Sequence, residues 1–176
     1  MLEKILEKIL MRAKDLFIKN KTLYLDNNLH HLFEQKLHHF NSDTIEIFSK
    51  LDDSDIIFHL KKWMNNPDFV LSYLSKMIIN RENLNKIIIQ KNTFSEKEIQ
   101  NIKKQILQKY PVDNQTINYL LFYDNIINQA YTTDKHPIKL LQKNNEIIEF
   151  SQASDQLNIE ALSHPVTKYY LSYPVL

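Results

Sequence analysis

Three groups of side chains in this 176-residue chain have the types and spacing for chemistry. His30, Glu34 and His38 follow one another at one helical turn, so neighbouring pairs could share a metal ion. The outer two histidines of such a helix are about two turns, or ~12 Å, apart and cannot join Glu34 on one ion. Asp52, Asp53 and Asp55 stand together, and His59 follows Asp55 by one helical turn on the same face, a spacing compatible with two metal ligands. The third candidate is Arg81, one of only two arginines, whose planar fork suits bidentate contact with phosphate in a way the scattered lysines do not.

Each group also has a purely structural reading. Carboxylates in a first helical turn are stabilised by exposed amides and the helix dipole, with Asp52 as N-cap and Asp55 closing a variant capping box. An arginine that ends a helix can satisfy that helix's last carbonyls. His30, His31, His38 and His39 read as solvated helix edges.

Composition narrows the chemistry further. The chain contains no glycine, where average usage of ~7% would supply roughly a dozen. Walker loops, dinucleotide fingerprints, nucleophile elbows and EF-hand loops are thereby excluded, because each needs a residue without Cβ at a sharp turn or close phosphate approach. The absence of cysteine removes disulfides, thiolate metal sites and cysteine nucleophiles, and fits a reducing compartment. Lys+Arg 22 against Asp+Glu 21 leaves a formal charge of +1 with no basic stripe, so nucleic acid is not an expected partner. No apolar run approaches the ~20 residues of a membrane span, and Met1-Leu2-Glu3-Lys4 leads into helical periodicity rather than a signal sequence. A cytoplasmic location without membrane association is expected.

The elements that would position these residues are legible as periodicity. Leu2, Ile5, Leu6, Ile9, Ala13 and Phe17 predict an opening amphipathic helix, with Lys4, Lys8, Arg12 and Lys14 off its apolar face. Asp26 caps a second helix with Leu29, Leu32, Phe33, Leu37 and Phe40 inward, and Ser42 a short one containing Ile45 and Phe48. After Asp52, the stripe Ile56, Ile57, Leu60, Trp63 and Met64 is expected to be buried. Asn66-Pro67-Asp68 then reads as N-cap, first-turn proline and acid of a helix carrying Val70, Leu71, Leu74, Met77 and Ile78 to Arg81.

Beyond Arg81 the pattern changes. Residues 86–90 read as a strand, Ser95 caps a polar helix with Ile99, Ile102, Ile106 and Leu107, and 118–123 reads as a second strand. Residues 137–142 and 146–150 form a hairpin around Lys143-Asn144-Asn145, with asparagine in place of glycine. A helix over 154–162 and a final strand over 167–173 complete the order. The fold class is α+β, with a helical region over residues 1–81 and a smaller mixed α+β sheet region over 82–176.

The succession of Leu51-Asp52-Asp53-Ser54-Asp55-Ile56, Lys62-Trp63, residues 68–71 and Asn80-Arg81 resembles the region following the catalytic core of HD-superfamily metal-dependent phosphohydrolases, the group that includes dNTP triphosphohydrolases. Ala130-Tyr131, residues 154–158 and residues 168–174 resemble the C-terminal sheet region of bacterial members. The resemblance implies a divalent metal that activates water against a phosphoester. It places that metal outside this chain, since the family's metal site contains a His-Asp dipeptide and none occurs here. It also implies a regulatory nucleotide held by an arginine closing one helix and a nearby lysine. Arg81 matches the arginine, and Lys86 stands one residue beyond the lysine's expected place.

The resulting expectation is a C-terminal accessory or regulatory part of an HD-type phosphohydrolase, inactive alone. It would self-associate or join an HD catalytic domain, with a nucleotide as possible effector. The alternative is a stand-alone helical module that binds a protein partner and has no link to hydrolysis.

Overall fold

The apolar recurrence at the start of the sequence becomes helix α1, Leu2–Ile18. Four further helices follow: α2 (Asn27–Glu34), α3 (Ser42–Lys50), α4 (Asp53–Trp63) and α5 (Phe69–Asn80). Strand β1 (Lys86–Gln90) and helix α6 (Glu96–Lys109) precede a 3-10 turn at Thr116–Tyr119, and β2 (Phe122–Asn128), β3 (Lys139–Leu141), β4 (Ile147–Glu149) and β5 (Val166–Tyr173) follow. This computed structural model describes residues 2–35, 41–82, 85–128, 138–149 and 166–176. The chain is α+β, helical first and strand-rich later. The expected helix over 154–162, together with Leu37, His38, His39 and Phe40, lies outside the described residues.

Two compact units divide the chain. The first comprises Met1–Lys86, Glu96–Phe122 and Ser172–Leu176, and the second Ile87–Ser95 and Tyr123–Leu171. In the first unit α1 packs on α5, and α5 on α4. Ile9, Trp63, Leu71, Leu74, Ile106, Ile117 and Leu120 have no accessible surface, and burying each large apolar side chain contributes about 1.5–3 kcal/mol. On α1, Ile5, Ile9, Ala13 and Leu16 are buried within the chain itself, whereas Leu2 at the start of the same face is exposed.

Strands β1, β5 and β2 pair in that order, and β3 and β4 form a separate antiparallel hairpin with Leu140 opposite Ile148. The hairpin turns as its sequence predicts. Asn145 takes φ 66°, the left-handed region that asparagine tolerates better than most residues, and its amide donates to the Gln142 carbonyl at 3.0 Å.

Several local expectations are corrected. Helix α3 is capped by Asn41 rather than Ser42, because the side-chain Oδ1 of Asn41 accepts from both the amide and the hydroxyl of Thr44, at 2.8 and 2.7 Å. The N-cap of α5 is Asp68, which accepts from the Leu71 amide, while Asn66 accepts from the Asp68 amide and Pro67 stays outside the helix. Ile57 is 44% exposed, since the buried face of α4 is His59, Leu60 and Trp63. The strand expected from residue 118 begins at Phe122: Asp113 Oδ1 accepts from the Gln115 and Thr116 amides and turns the chain into the 3-10 segment first.

Candidate functional site

The acidic group at the head of α4 is a helix cap. Asp52 Oδ1 accepts from the amides of Ser54 and Asp55 at 2.7 and 3.2 Å, and Asp55 Oδ2 accepts from the Asp52 amide at 3.0 Å. The capping box is thus closed in both directions. His59 does not join it. Its ring is 1% exposed, its Nδ1–H donates to the Asp55 backbone carbonyl at 2.8 Å, and its Nε2 accepts from the Asp26 amide at 3.1 Å. Both nitrogens are used, which sets the neutral tautomer and ties α4 to the start of α2. His59 is therefore a structural crosslink, and neither nitrogen is open to a metal. His30 is exposed, 3.6 Å from Glu34, and stands edge-on to Phe17. Among the described residues no group of three or more His, Asp and Glu is arranged to hold a metal ion.

Arg81 is the C-cap of α5 at φ 57°, ψ 34°, a left-handed conformation usually filled by glycine. It is exposed, and its side chain has no hydrogen-bond or ion-pair partner among the described residues. Lys86 is also exposed, at the first position of β1. Both belong to the first unit. Between them Asn85 is buried, donating through Nδ2 to Ser172 Oγ at 2.9 Å. Its Oδ1 is buried without a partner.

The other arginine has a different fate. Arg12, expected off the apolar face, is only 8% exposed and grips Asp68 through Nε and Nη2 at 3.0 and 2.5 Å. Its guanidinium lies over the Tyr119 ring at 5.4 Å, and the Tyr119 hydroxyl donates to Asp15 Oδ2 at 2.5 Å. Burial pushes the Asp68 carboxyl up, but the hydrogen bonds from Arg12 and the Leu71 amide outweigh it and hold the group below the usual carboxylate range. Burial, reinforced by the bond to Asp15, pushes the Tyr119 phenol up to about 12. One signal of this in the sequence was available: Arg12 falls at helical spacing within the series Ile5, Ile9, Ala13, Leu16.

The segment between α1 and α2 is fastened just as firmly. Trp63 Nε1–H donates to the Tyr24 carbonyl at 2.8 Å and Asn66 Nδ2 to the Thr22 carbonyl at 2.9 Å, alongside the His59–Asp26 bond. The Lys62 ammonium rests over the Tyr24 and Phe58 rings at 5.5 and 5.3 Å.

No family model matches the chain. It is similar to a solved structure, a phosphohydrolase of Bacteroides thetaiotaomicron, with a TM-score of 0.87 and 35% identity. That match takes in 98% of this chain and 43% of the other. Among curated proteins the uncharacterized protein YwfO of Bacillus subtilis is 28% identical over 160 residues, covering 86% of this chain and 34% of that protein. The chain thus spans about a third of the curated relative and less than half of the solved one. No helix among the described residues is long and apolar enough to cross a membrane.

Proposed function

We propose that this chain corresponds to the C-terminal accessory and regulatory part of an HD-type metal-dependent phosphohydrolase, and that it does not hydrolyse phosphoesters alone. The observation that carries the reading is the match to the Bacteroides phosphohydrolase, which takes in nearly all of this chain at 35% identity yet leaves more than half of that protein unmatched. The commitments of the candidate groups support it. The Asp52–Asp55 cluster is occupied with capping α4, and His59 with joining α4 to α2. In this reading the divalent metal and the water it activates belong to a catalytic portion that these residues support.

Regulation would fall to Arg81 and Lys86. An exposed guanidinium without a carboxylate partner among the described residues is available for a bidentate phosphate contact, whereas Arg12 is committed to Asp68. A nucleotide there would act by binding one state of the assembled enzyme better than another.

The rival reading, a protein-interaction module, draws on helix α3, where Ile45 and Phe48 are 59% and 65% exposed. Incubating the purified chain with dNTPs, GTP and a generic phosphodiester in manganese or magnesium tests the absence of catalysis. Phosphate release at background is expected. Turnover that disappears in Asp55→Ala or His59→Ala would overturn the proposal.

A further inference from the structure

A cavity of about 400 Å³ opens within the first unit, between the end of α1, the turn before α5 and the turn after α6. Its size falls within the ~300–1,000 Å³ of small-molecule sites. The charges on its wall are unequally committed. Arg12 and Asp68 neutralise each other through two hydrogen bonds. Lys19 and Lys21 also line the cavity, and neither ammonium has an ion-pair or hydrogen-bond partner among the described residues. Asp113 directs one oxygen inward to its own turn, where Oδ1 accepts from the Gln115 amide and from the amide and hydroxyl of Thr116. Its Oδ2 takes no hydrogen bond among the described residues, while the turn's hydrogen bonds and, in smaller part, the Arg12 guanidinium hold the carboxyl below its usual range.

The lysines also sit on a fixed backbone. Asn20, between them, takes φ 51° and closes α1, with the Asn20 amide donating to the Phe17 carbonyl and the Lys21 amide to that of Leu16. Thr22, next along, is held by Asn66. A site on an anchored turn gives up less conformational entropy on binding than one on a free loop.

Two lysines without ion-pair partners among the described residues and a carboxylate with one oxygen outside its turn's hydrogen bonds, all lining a cavity of this volume, complement a ligand with an anionic end and hydroxyl donors. We propose that this cavity binds a small phosphate monoester carrying hydroxyl groups, its phosphate held by Lys19 and Lys21 and a hydroxyl donating to Asp113 Oδ2. This site uses neither Arg81 nor Lys86 and does not depend on the hydrolase reading.

Calorimetric titration of the full chain with ribose 5-phosphate, inorganic phosphate and ribose tests the proposal. Ribose 5-phosphate should bind best, and ribose should give no heat. The Lys19→Ala/Lys21→Ala variant should lose about tenfold or more in affinity for ribose 5-phosphate, and the Lys19→Arg/Lys21→Arg variant should recover most of it. Asp113→Asn should bring ribose 5-phosphate down toward inorganic phosphate. Circular dichroism of each variant should match the wild type, since Lys19, Lys21 and Asp113 are all exposed. Three results would each overturn the proposal: no binding of ribose 5-phosphate at millimolar concentration, equal affinity in the double-alanine variant, or loss of binding in Arg81→Ala.

Discussion

The two arginines of this chain divide its polar chemistry between structure and availability. Arg12 is committed: its guanidinium is buried with Asp68, so removing either partner leaves a desolvated charge. Arg12→Ala is expected to lower stability by about 2–4 kcal/mol in denaturant unfolding, and Asp68→Asn by a similar amount. The double variant should cost clearly less than the sum, as coupled partners do. The pH dependence follows from the depressed Asp68 carboxyl. A carboxyl held below its ordinary value contributes stability that is fully present above a pH of about 4 and is lost as pH falls through the folded-state value. Asp68→Asn should therefore show a shallower acid-side loss than wild type in melting temperature measured across that range. Arg81 is exposed and strained instead. Its left-handed backbone costs a non-glycine residue about 1 kcal/mol, so Arg81→Gly should raise stability by about that amount while removing any phosphate contact. Thermal unfolding with and without GTP separates the two effects, since a purely capping arginine predicts the gain with no change in nucleotide response.

Helix ends fix where the helices of the first unit begin and stop, while the buried side chains of α1, α4 and α5 pack them together. Asp52→Ala should lose about 1–2 kcal/mol, because its carboxylate accepts from the Ser54 and Asp55 amides while only its backbone amide, kept in alanine, serves the other half of the α4 capping box; Asp53→Ala should be nearly neutral. Chemical denaturation of the two variants checks the contrast. The Asp52 cap and the course of α1, α4 and α5 were legible in the sequence, since apolar spacing and acidic first turns are local signals. Competition between adjacent capping residues was not: Asn41 displaced Ser42, and Asp68 displaced Asn66, because side-chain reach to a specific amide depends on backbone angles that sequence does not display. The role of His59 was also hidden. Its partner, the amide of Asp26, lies 33 residues away, and only the packing of α4 beside the preceding segment brings the two together. The candidate cavity was invisible for the same reason, since its wall draws on residues near 20, 67 and 115. Arg81 and Lys86, by contrast, are singled out by resemblance to a family pattern and not by any local signal of folding.

As a whole the molecule has two compact units and a strong likeness to part of a larger phosphohydrolase. Among the described residues the Asp52–Asp55 group caps α4, and His59 crosslinks α4 to the start of α2. The most direct measurement is phosphate release by the intact Bacteroides phosphohydrolase after its matched segment is replaced with these 176 residues, assayed on dNTPs, GTP and a phosphodiester beside the parent and a variant lacking the segment. The chimera is predicted to retain most of the parent's activity, with the deletion at background. A chimera that folds as judged by circular dichroism yet hydrolyses no faster than the deletion would contradict the accessory role.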